Sequence, residues 1–239
     1  MRDGIAIGLL DSGLDAALSP RAVASCRFRP TPAGGVDRTA ALPDVLGHGS
    51  ALAGLILAAV PEARLINAQI FADRPLTSAA LVADGLAWLR QQGARLVNMS
   101  IGLVEDRPVL RDACAEALAG GLILVAPVPA LGGRVYPAAY PGVIRVTGDA
   151  RCQGGEIAAK LGERADFGAN PWRNGYPQLI PGIAGASVAT ARITAALGCV
   201  LAGHPDAGAA EAAALLRDIA DHLGPQRPGA EPVVLRRRA

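Results

Sequence analysis

The chain has 239 residues, which is within the range of one large α/β domain, and its hydrophobic content of 51% is ample for a core. Aromatic residues make up only 3%, so Ala, Leu, Val and Ile must build most of that core. A net charge of +2 argues against a nucleic-acid partner, and the basic run Arg236-Arg237-Arg238 is typical of a solvated tail. No apolar stretch is expected to supply the ~18 residues that a membrane span needs.

The N-terminus and the cysteines both suggest a cytoplasmic protein. The apolar run 5–10 is too short for a signal peptide and ends at Asp11, so we expect neither a signal nor an N-terminal pro-domain. The four cysteines form no C-x-x-C pair, which favours buried thiols in a reducing compartment over disulfides or a metal site. We also expect no metal and no organic cofactor. The cysteines are Cys26, Cys114, Cys152 and Cys199.

Apolar runs and helical patterns alternate along the chain, which indicates a mostly parallel sheet covered on both faces. We predict strands at 5–10, 63–71, 95–99, 122–126 and 143–147, and helices at 49–59, 78–92, 107–119, 187–202 and 209–220. The stretch 14–46 is rich in Pro, Gly and Asp and is predicted to be loops with short elements, whereas 149–184 is polar and glycine-rich and is predicted to be irregular. No repeat or linker divides the chain, so a single domain spanning 1–239 is predicted.

Three short segments supply an acid, a base and a nucleophile: Asp11-Ser12-Gly13, Gly47-His48-Gly49-Ser50 and Gly185-Ala186-Ser187-Val188-Ala189. A serine hydroxyl attacks a carbonyl only if an imidazole takes its proton, and a carboxylate holds that imidazole in the right tautomer. Taken singly, these residues fit a turn, a helix start and a helix cap. Asp44, just before Gly47, is interpreted as loop structure. In combination the segments predict a catalytic triad of Asp11, His48 and Ser187.

These segments resemble the signature blocks of the subtilisin-like serine proteases, the subtilases, and their chain order is that of this family. The segment 96–102 is similar to the family's substrate-binding strand, and 136–146 to the stretch after its oxyanion region. The resemblance implies a three-layer subtilisin-like fold and a serine endopeptidase that binds an extended peptide or precursor protein. It also implies that the peptide pairs with Ser100, Ile101, Gly102 and Leu103, while Ala126 and Pro127 line the opposite wall of the specificity pocket.

The chain departs from the family where the oxyanion should be held. The usual Asn falls at or near Ala130, and the usual Thr before the nucleophile is Ala186. The backbone N–H of Ser187 is then the one donor that the motif itself provides. Substitute donors are expected in nearby loops, and the candidates are Arg134, Asn170, Arg173 and Asn174. The connection 58–63 also lacks room for the calcium loop found in many relatives.

Three hypotheses of function follow from these observations on the sequence. The first is an intracellular processing protease that cuts one precursor or leader peptide, slowly and selectively, as compact subtilases that mature modified peptides do. The second is a weak or inactive pseudoprotease that binds an extended peptide as a scaffold or chaperone. A non-proteolytic acyl hydrolase or transferase is a third hypothesis.

Overall fold

The computed structural model describes residues 4–130, 132–173 and 185–225, so Asn174 and the basic tail 236–238 lie outside the described residues. One ten-stranded sheet runs through the molecule in the order β10-β8-β9-β7-β6-β5-β1-β4-β2-β3. Its strands pair in parallel except for the β2–β3 and β8–β9 pairs. The mostly parallel sheet that the sequence predicts is confirmed.

The strands are β1 (Ala6–Asp11), β2 (Ala22–Pro30), β3 (Val36–Thr39), β4 (Arg64–Gln69), β5 (Leu96–Met99), β6 (Ile123–Pro127), β7 (Ile144–Gly148), β8 (Ile157–Ala159), β9 (Phe167–Ala169) and β10 (His222–Leu223). The helices are α1 (His48–Ala59), α2 (Ala79–Gln91), α3 (Pro108–Ala119), α4 (Ala186–Gly203) and α5 (Ala209–Asp218).

Helices cover both faces of the sheet and give the three layers. One core cluster joins the sheet to α1, α4 and α5 and includes Leu9 and Phe167. The other joins it to α2 and α3 and includes Leu10 and Leu86. Because successive strand residues point to opposite faces, Leu9 and Leu10 reach different clusters. A parallel sheet buried on both faces needs continuous apolar strands, and all six residues of β1 are buried.

The prediction of loops over 14–46 was wrong in its middle part. Strand β2 extends the sheet beyond β4, and β3 folds back on β2 as an antiparallel edge. Only two of the nine residues of β2 are buried, because the strand lies one place from the sheet edge and carries arginines. Without a continuous apolar run, its periodicity gives little strand signal. The short strands β8 to β10 escaped prediction for the same reason.

Helix α4 corrects the expectation that no apolar stretch reaches membrane-spanning length. It has 18 residues and is apolar enough to qualify by length and composition. It also packs against α1, α5 and the strands β5, β6, β7 and β9. Ten of its residues are buried there, so its apolar character is that of a central core helix.

All four cysteines are free. Cys26, Cys114 and Cys152 are buried as expected, and burial raises the pKa of the Cys114 and Cys152 thiols to about 12. Cys199 is exposed, contrary to the expectation of buried thiols, because it lies on the outer side of α4.

Candidate active site

Asp11 and His48 form a hydrogen-bonded pair at the carboxyl end of the central strand. His48 Nδ1 lies 2.7 Å from Asp11 Oδ1, and the same oxygen accepts the backbone N–H of Ser12. The Asp11 side chain is fully buried, whereas the His48 side chain is 27% exposed. The second carboxylate oxygen, Oδ2, is buried and has no hydrogen-bond partner among the described residues. Asp11 therefore holds the imidazole through one oxygen.

Two glycines let the start of α1 approach β1 closely. Gly47 precedes His48 with φ of 68°, a left-handed conformation that favours glycine. Gly49 leaves no space for a side chain, because a Cβ there would lie 2.3 Å from the carbonyl oxygen of Gly13. Its N–H donates instead to the hydroxyl of Ser12 at 2.8 Å. The Gly-His-Gly sequence thus brings His48 within reach of Asp11.

Asp44 lies outside α1 and accepts hydrogen bonds from the N–H groups at the start of that helix. Its Oδ1 accepts the N–H groups of Leu46 and Gly47, and its Oδ2 accepts both the N–H and the hydroxyl of Ser50. Gly47 has no capping side chain, so Asp44 takes the role that a cap residue usually plays. These contacts hold the pKa of Asp44 below its ordinary value, although burial alone would raise it.

The surroundings of His48 raise its affinity for a proton relative to that of a free imidazole. Burial alone lowers the pKa of an imidazole, but the hydrogen bond and charge of Asp11, with the charge of Asp44, outweigh it and raise the pKa of His48. With Nδ1 directed at Asp11, Nε2 is the ring nitrogen left to take up a proton. This is the arrangement that a general base next to a serine needs.

Helix α4 runs in the same direction as α1. Thr194 donates to Asn98, which pairs in register with Leu9, and one turn later Gly198 lies against Ile7. Helix α4 therefore descends from the carboxyl ends of the strands towards their amino ends. Helix α1 does the same, since it starts beside Asp11 and its end leads into the start of β4.

The positions of His48 and Ser187 along these two helices match. The thiol of Cys199 lies 3.6 Å from the carbonyl oxygen of Ala59, which fixes one level shared by both helices. His48 is eleven residues before Ala59, and Ser187 is twelve residues before Cys199. At 1.5 Å per residue these spans are about 17 and 18 Å. Ser187 and His48 consequently stand at the same end of neighbouring helices.

The oxyanion region offers few side-chain donors among the described residues. Ser187 is the second residue of α4, so its N–H has no partner within the helix. Asn170 is buried, donates to the carbonyl oxygen of Cys152 at 3.0 Å and accepts the N–H of Trp172 at 2.9 Å. These bonds argue against the predicted oxyanion role of Asn170. Arg134 and Arg173 are exposed and stay candidates, whereas Asn174 is outside the described residues.

The candidate substrate strand is shorter than predicted. Ser100, Ile101 and Gly102 follow β5 directly, at the same edge of the sheet as Asp11. Leu103, by contrast, forms an antiparallel bridge with Tyr136, and both backbone hydrogen bonds of that bridge are 2.8 Å long. Because its N–H and C=O are already paired, Leu103 is not available to an extended peptide.

The predicted opposite wall of the specificity pocket is mostly core. Ala126 is fully buried in the cluster under α2 and α3, and Pro127 is buried at the end of β6. Both pair with β7, opposite Arg145 and Val146. The exposed surface at this wall begins only at Ala130. Ala126 and Pro127 are therefore not exposed at the surface where the sequence predicts the wall of the pocket.

Sequence reasoning missed the residues that organise the loops around His48. Gln69, at the end of β4, donates to the carbonyl oxygens of Ser12 and Leu42 and accepts the N–H of Leu42. The interpretation of Asp44 as loop structure understates its part in the site, as its contacts show. A buried polar residue ending an apolar strand, such as Gln69, is the signal that the sequence offers.

The described residues contain no group of three or more His, Cys, Asp or Glu side chains placed to hold a metal ion. The connection from α1 to β4 is tight: it is the four-residue turn 60–63, in which Ala63 donates to the carbonyl oxygen of Val60 at 3.0 Å.

Comparison with known proteins gives a consistent result. The model of the subtilase family matches residues 2–232. Subtilisin DY of Bacillus licheniformis is 24% identical over 92% of this chain and 85% of its own length. The thermostable alkaline protease of Halalkalibacterium halodurans is 27% identical over 60% of this chain, and the match covers 41% of that protein.

Solved structures show the same fold. A protease from Pseudoalteromonas arctica has a TM-score of 0.72 at 17% identity, covering 90% of this chain and 83% of its own. Fervidolysin of Fervidobacterium pennivorans, described as a keratinolytic enzyme related to subtilisin, has a TM-score of 0.61 at 21% identity, covering 86% of this chain and 37% of its own. The three-layer subtilisin-like fold is thereby confirmed.

Proposed function

Since the chain belongs to the subtilase family and is a serine endopeptidase of the subtilase type, we propose that it acts inside the cell as a dedicated processing protease. Its substrate would be an extended segment of one precursor or a leader peptide. The observation that carries this proposal is the pairing of Asp11 with His48 beside the start of the helix that carries Ser187.

In the proposed mechanism Ser187 is the nucleophile. Its Oγ attacks the scissile carbonyl while Nε2 of His48 takes the hydroxyl proton, and Asp11 stabilises the imidazolium that results. His48 then protonates the leaving amine, which releases the first product and leaves an acyl-enzyme. A water molecule, deprotonated by His48, hydrolyses that ester and restores Ser187.

Substrate recognition is proposed to use the three residues Ser100, Ile101 and Gly102. An extended peptide would add to this segment as a further strand. Because the bridge between Leu103 and Tyr136 ends the segment, the peptide gains few backbone hydrogen bonds. Affinity then depends on side-chain contacts, which suits an enzyme with one substrate better than a general digestive protease.

The sparse oxyanion hole supports the same interpretation. Ala130 and Ala186 stand where the family resemblance leads us to expect donors, and losing one such donor typically costs ~10²–10³ in turnover. Slow chemistry limits damage to other proteins in the same compartment. Four free thiols fit a reducing compartment. The subtilase that removes the leader peptide in quinohemoprotein amine dehydrogenase maturation is the kind of enzyme we have in mind.

The test is covalent labelling of Ser187 by a fluorophosphonate probe. We expect the folded protein to be labelled at Ser187, and the Ser187→Ala variant not to be. Absence of labelling in protein whose circular dichroism and thermal unfolding are those of a folded domain would overturn the enzyme proposal.

The second candidate is a peptide-binding pseudoprotease, which the alanines at 130 and 186 favour. It predicts that the unaltered protein and Ser187→Ala bind one precursor with equal affinity and leave it intact. Labelling of Ser187 together with processing of that precursor would exclude this candidate.

A further inference from the structure

We propose that Asp44 is a positioning residue of the catalytic machinery, a second carboxylate that fixes the place and the charge of His48 without contacting the substrate. The inference rests on the proposed peptidase chemistry, in which His48 is the general base.

The first argument is the connectivity of the carboxylate. Asp44 accepts the N–H of Gly47, the residue before His48, at 2.9 Å. Asp44 also reaches the segment after Asp11 through the hydroxyl of Ser50, which donates to Asp44 at 2.6 Å and accepts the N–H of Asp15 at 2.9 Å. One carboxylate thus joins the chain segments on both sides of the Asp11–His48 pair.

The second argument is the capping of α1. Helix α1 begins at His48 with no capping side chain of its own. The N–H of Ser50 donates to Asp44 at 2.9 Å, and so does the N–H of Gly47, the residue before the helix. A negative charge at a helix N-terminus is favourable. Asp44 therefore stabilises the very turn that carries the imidazole.

The third argument is charge. Asp11 on β1 and Asp44 in the loop before α1 are the two charged groups that act on His48. Asp11 acts through a direct hydrogen bond and Asp44 through its field alone, so their contributions can be separated by substitution. Both favour the imidazolium that forms when Ser187 gives up its proton.

The experiment compares Asp44→Asn, Asp44→Glu and Ser50→Ala with the unaltered protein. Asp44→Asn removes the charge and keeps the shape. Asp44→Glu keeps the charge and disturbs the geometry. Ser50→Ala deletes the hydroxyl that bonds to Asp44 at 2.6 Å and leaves the charge in place. Asp37→Asn, an exposed carboxylate paired with Arg29, controls for loss of a remote charge.

Two readouts are used: the pH dependence of fluorophosphonate labelling, and the titration of His48 by NMR, assigned with His48→Gln. We expect Asp44→Asn to lower the pKa of His48 by about 0.5 to 1 pH unit. The acid limb of the pH profile of labelling should move to lower pH by the same amount. Asp44→Glu should restore most of that change, while Ser50→Ala and Asp37→Asn should leave the pKa of His48 unchanged.

A purely structural role predicts otherwise: slower labelling and a lower melting temperature with no movement of either titration. That result, or an equal change of the pKa of His48 in Ser50→Ala, overturns the proposal. If the unaltered protein is never labelled, the proposed function fails, but the NMR titration still decides whether Asp44 sets the pKa of His48.

Discussion

The two halves of the candidate site are built in opposite ways. The acid–base half, formed by Asp11, Asp44, His48 and Gln69, is held by a dense set of hydrogen bonds from β1, β4 and the loop before α1. The oxyanion half, around Ala130 and Ser187, presents mainly backbone and alanine among the described residues.

This difference in the number of hydrogen bonds indicates which catalytic step depends on more residues. Proton transfer requires one fixed orientation of an imidazole, and several independent bonds enforce it. Oxyanion stabilisation tolerates a range of rates, and fewer donors mean slower chemistry without loss of the mechanism. The comparison predicts that damage to the acid–base half is severe, while the oxyanion half depends on few groups.

The largest effect is expected from Asp11→Asn. The amide keeps the shape of Asp11 but no longer fixes the proton on Nδ1 of His48, so labelling of Ser187 should slow by about 10⁴-fold. The rate of fluorophosphonate labelling measures this. Asp37→Asn, at an exposed position, is the control and should label at the normal rate. A fall of less than tenfold in the labelling rate would mean that the reaction does not depend strongly on the acid–base half.

A smaller effect is expected in the oxyanion half, from Arg134→Ala or Arg173→Ala. We predict that one of these two exposed arginines supplies the replacement donor. Its removal should lower kcat by about 10²-fold with little change in KM, as measured on a cleaved precursor peptide. If both variants keep full turnover, the oxyanion is held by the backbone N–H of Ser187 and its helix alone.

Gly49→Ala tests the close approach of α1 to β1 through stability. The added Cβ would lie 2.3 Å from the carbonyl oxygen of Gly13, so the start of α1 must move, at a cost of about 2–4 kcal/mol in the free energy of unfolding. Gly54→Ala in the same helix meets nothing within 4 Å and should stabilise by about 0.5–1 kcal/mol. Denaturant unfolding measures both, and equal effects would refute the steric argument.

The pH dependence of stability gives a weaker test of the acid–base half. The pKa of Asp44 is lower in the folded protein than its ordinary value of 3.8. Its stabilising contribution is therefore complete above pH 3.8 and is lost as the pH falls through the lower folded value. The melting temperatures of the unaltered protein and Asp44→Asn should differ at neutral pH and converge in acid. A difference that is constant with pH would contradict this.

No effect is expected from chelation. The tight connection from Val60 to Ala63 replaces the loop that binds calcium in many relatives, so EDTA should leave the melting temperature unchanged. A fall that calcium reverses would show a metal site that contributes to stability.

From the sequence we could predict the local features of the candidate site, and of the predicted triad the structure shows the contact between Asp11 and His48. Asp11, His48 and Ser187 each sit in a short glycine-containing segment at the end of a strand or the start of a helix. Such segments specify their own backbone geometry, so their chemistry can be inferred from the order of residues alone. The main strands and all five helices follow from apolar runs and periodicity for the same reason.

What the sequence did not predict depends on contacts between distant segments. Gln69 bonds to Ser12 and Leu42, and no local pattern indicates those partners. The pairing of Leu103 with Tyr136 shortens the substrate segment in a way that only the folded chain shows. Strand β2 was missed because its partner β4, and not its own pattern, makes it a strand.

The similar spans from His48 to Ala59 in α1 and from Ser187 to Cys199 in α4 bear on how this chain can evolve. Removing one residue from inside either helix would turn its first residues by about 100° and shift them by about 1.5 Å. His48 or Ser187 would then change its position and direction relative to the other. We therefore expect an insertion or deletion within 48–59 or 187–199 to disturb the candidate site, so that the residue count of these two spans matters as much as any side chain there.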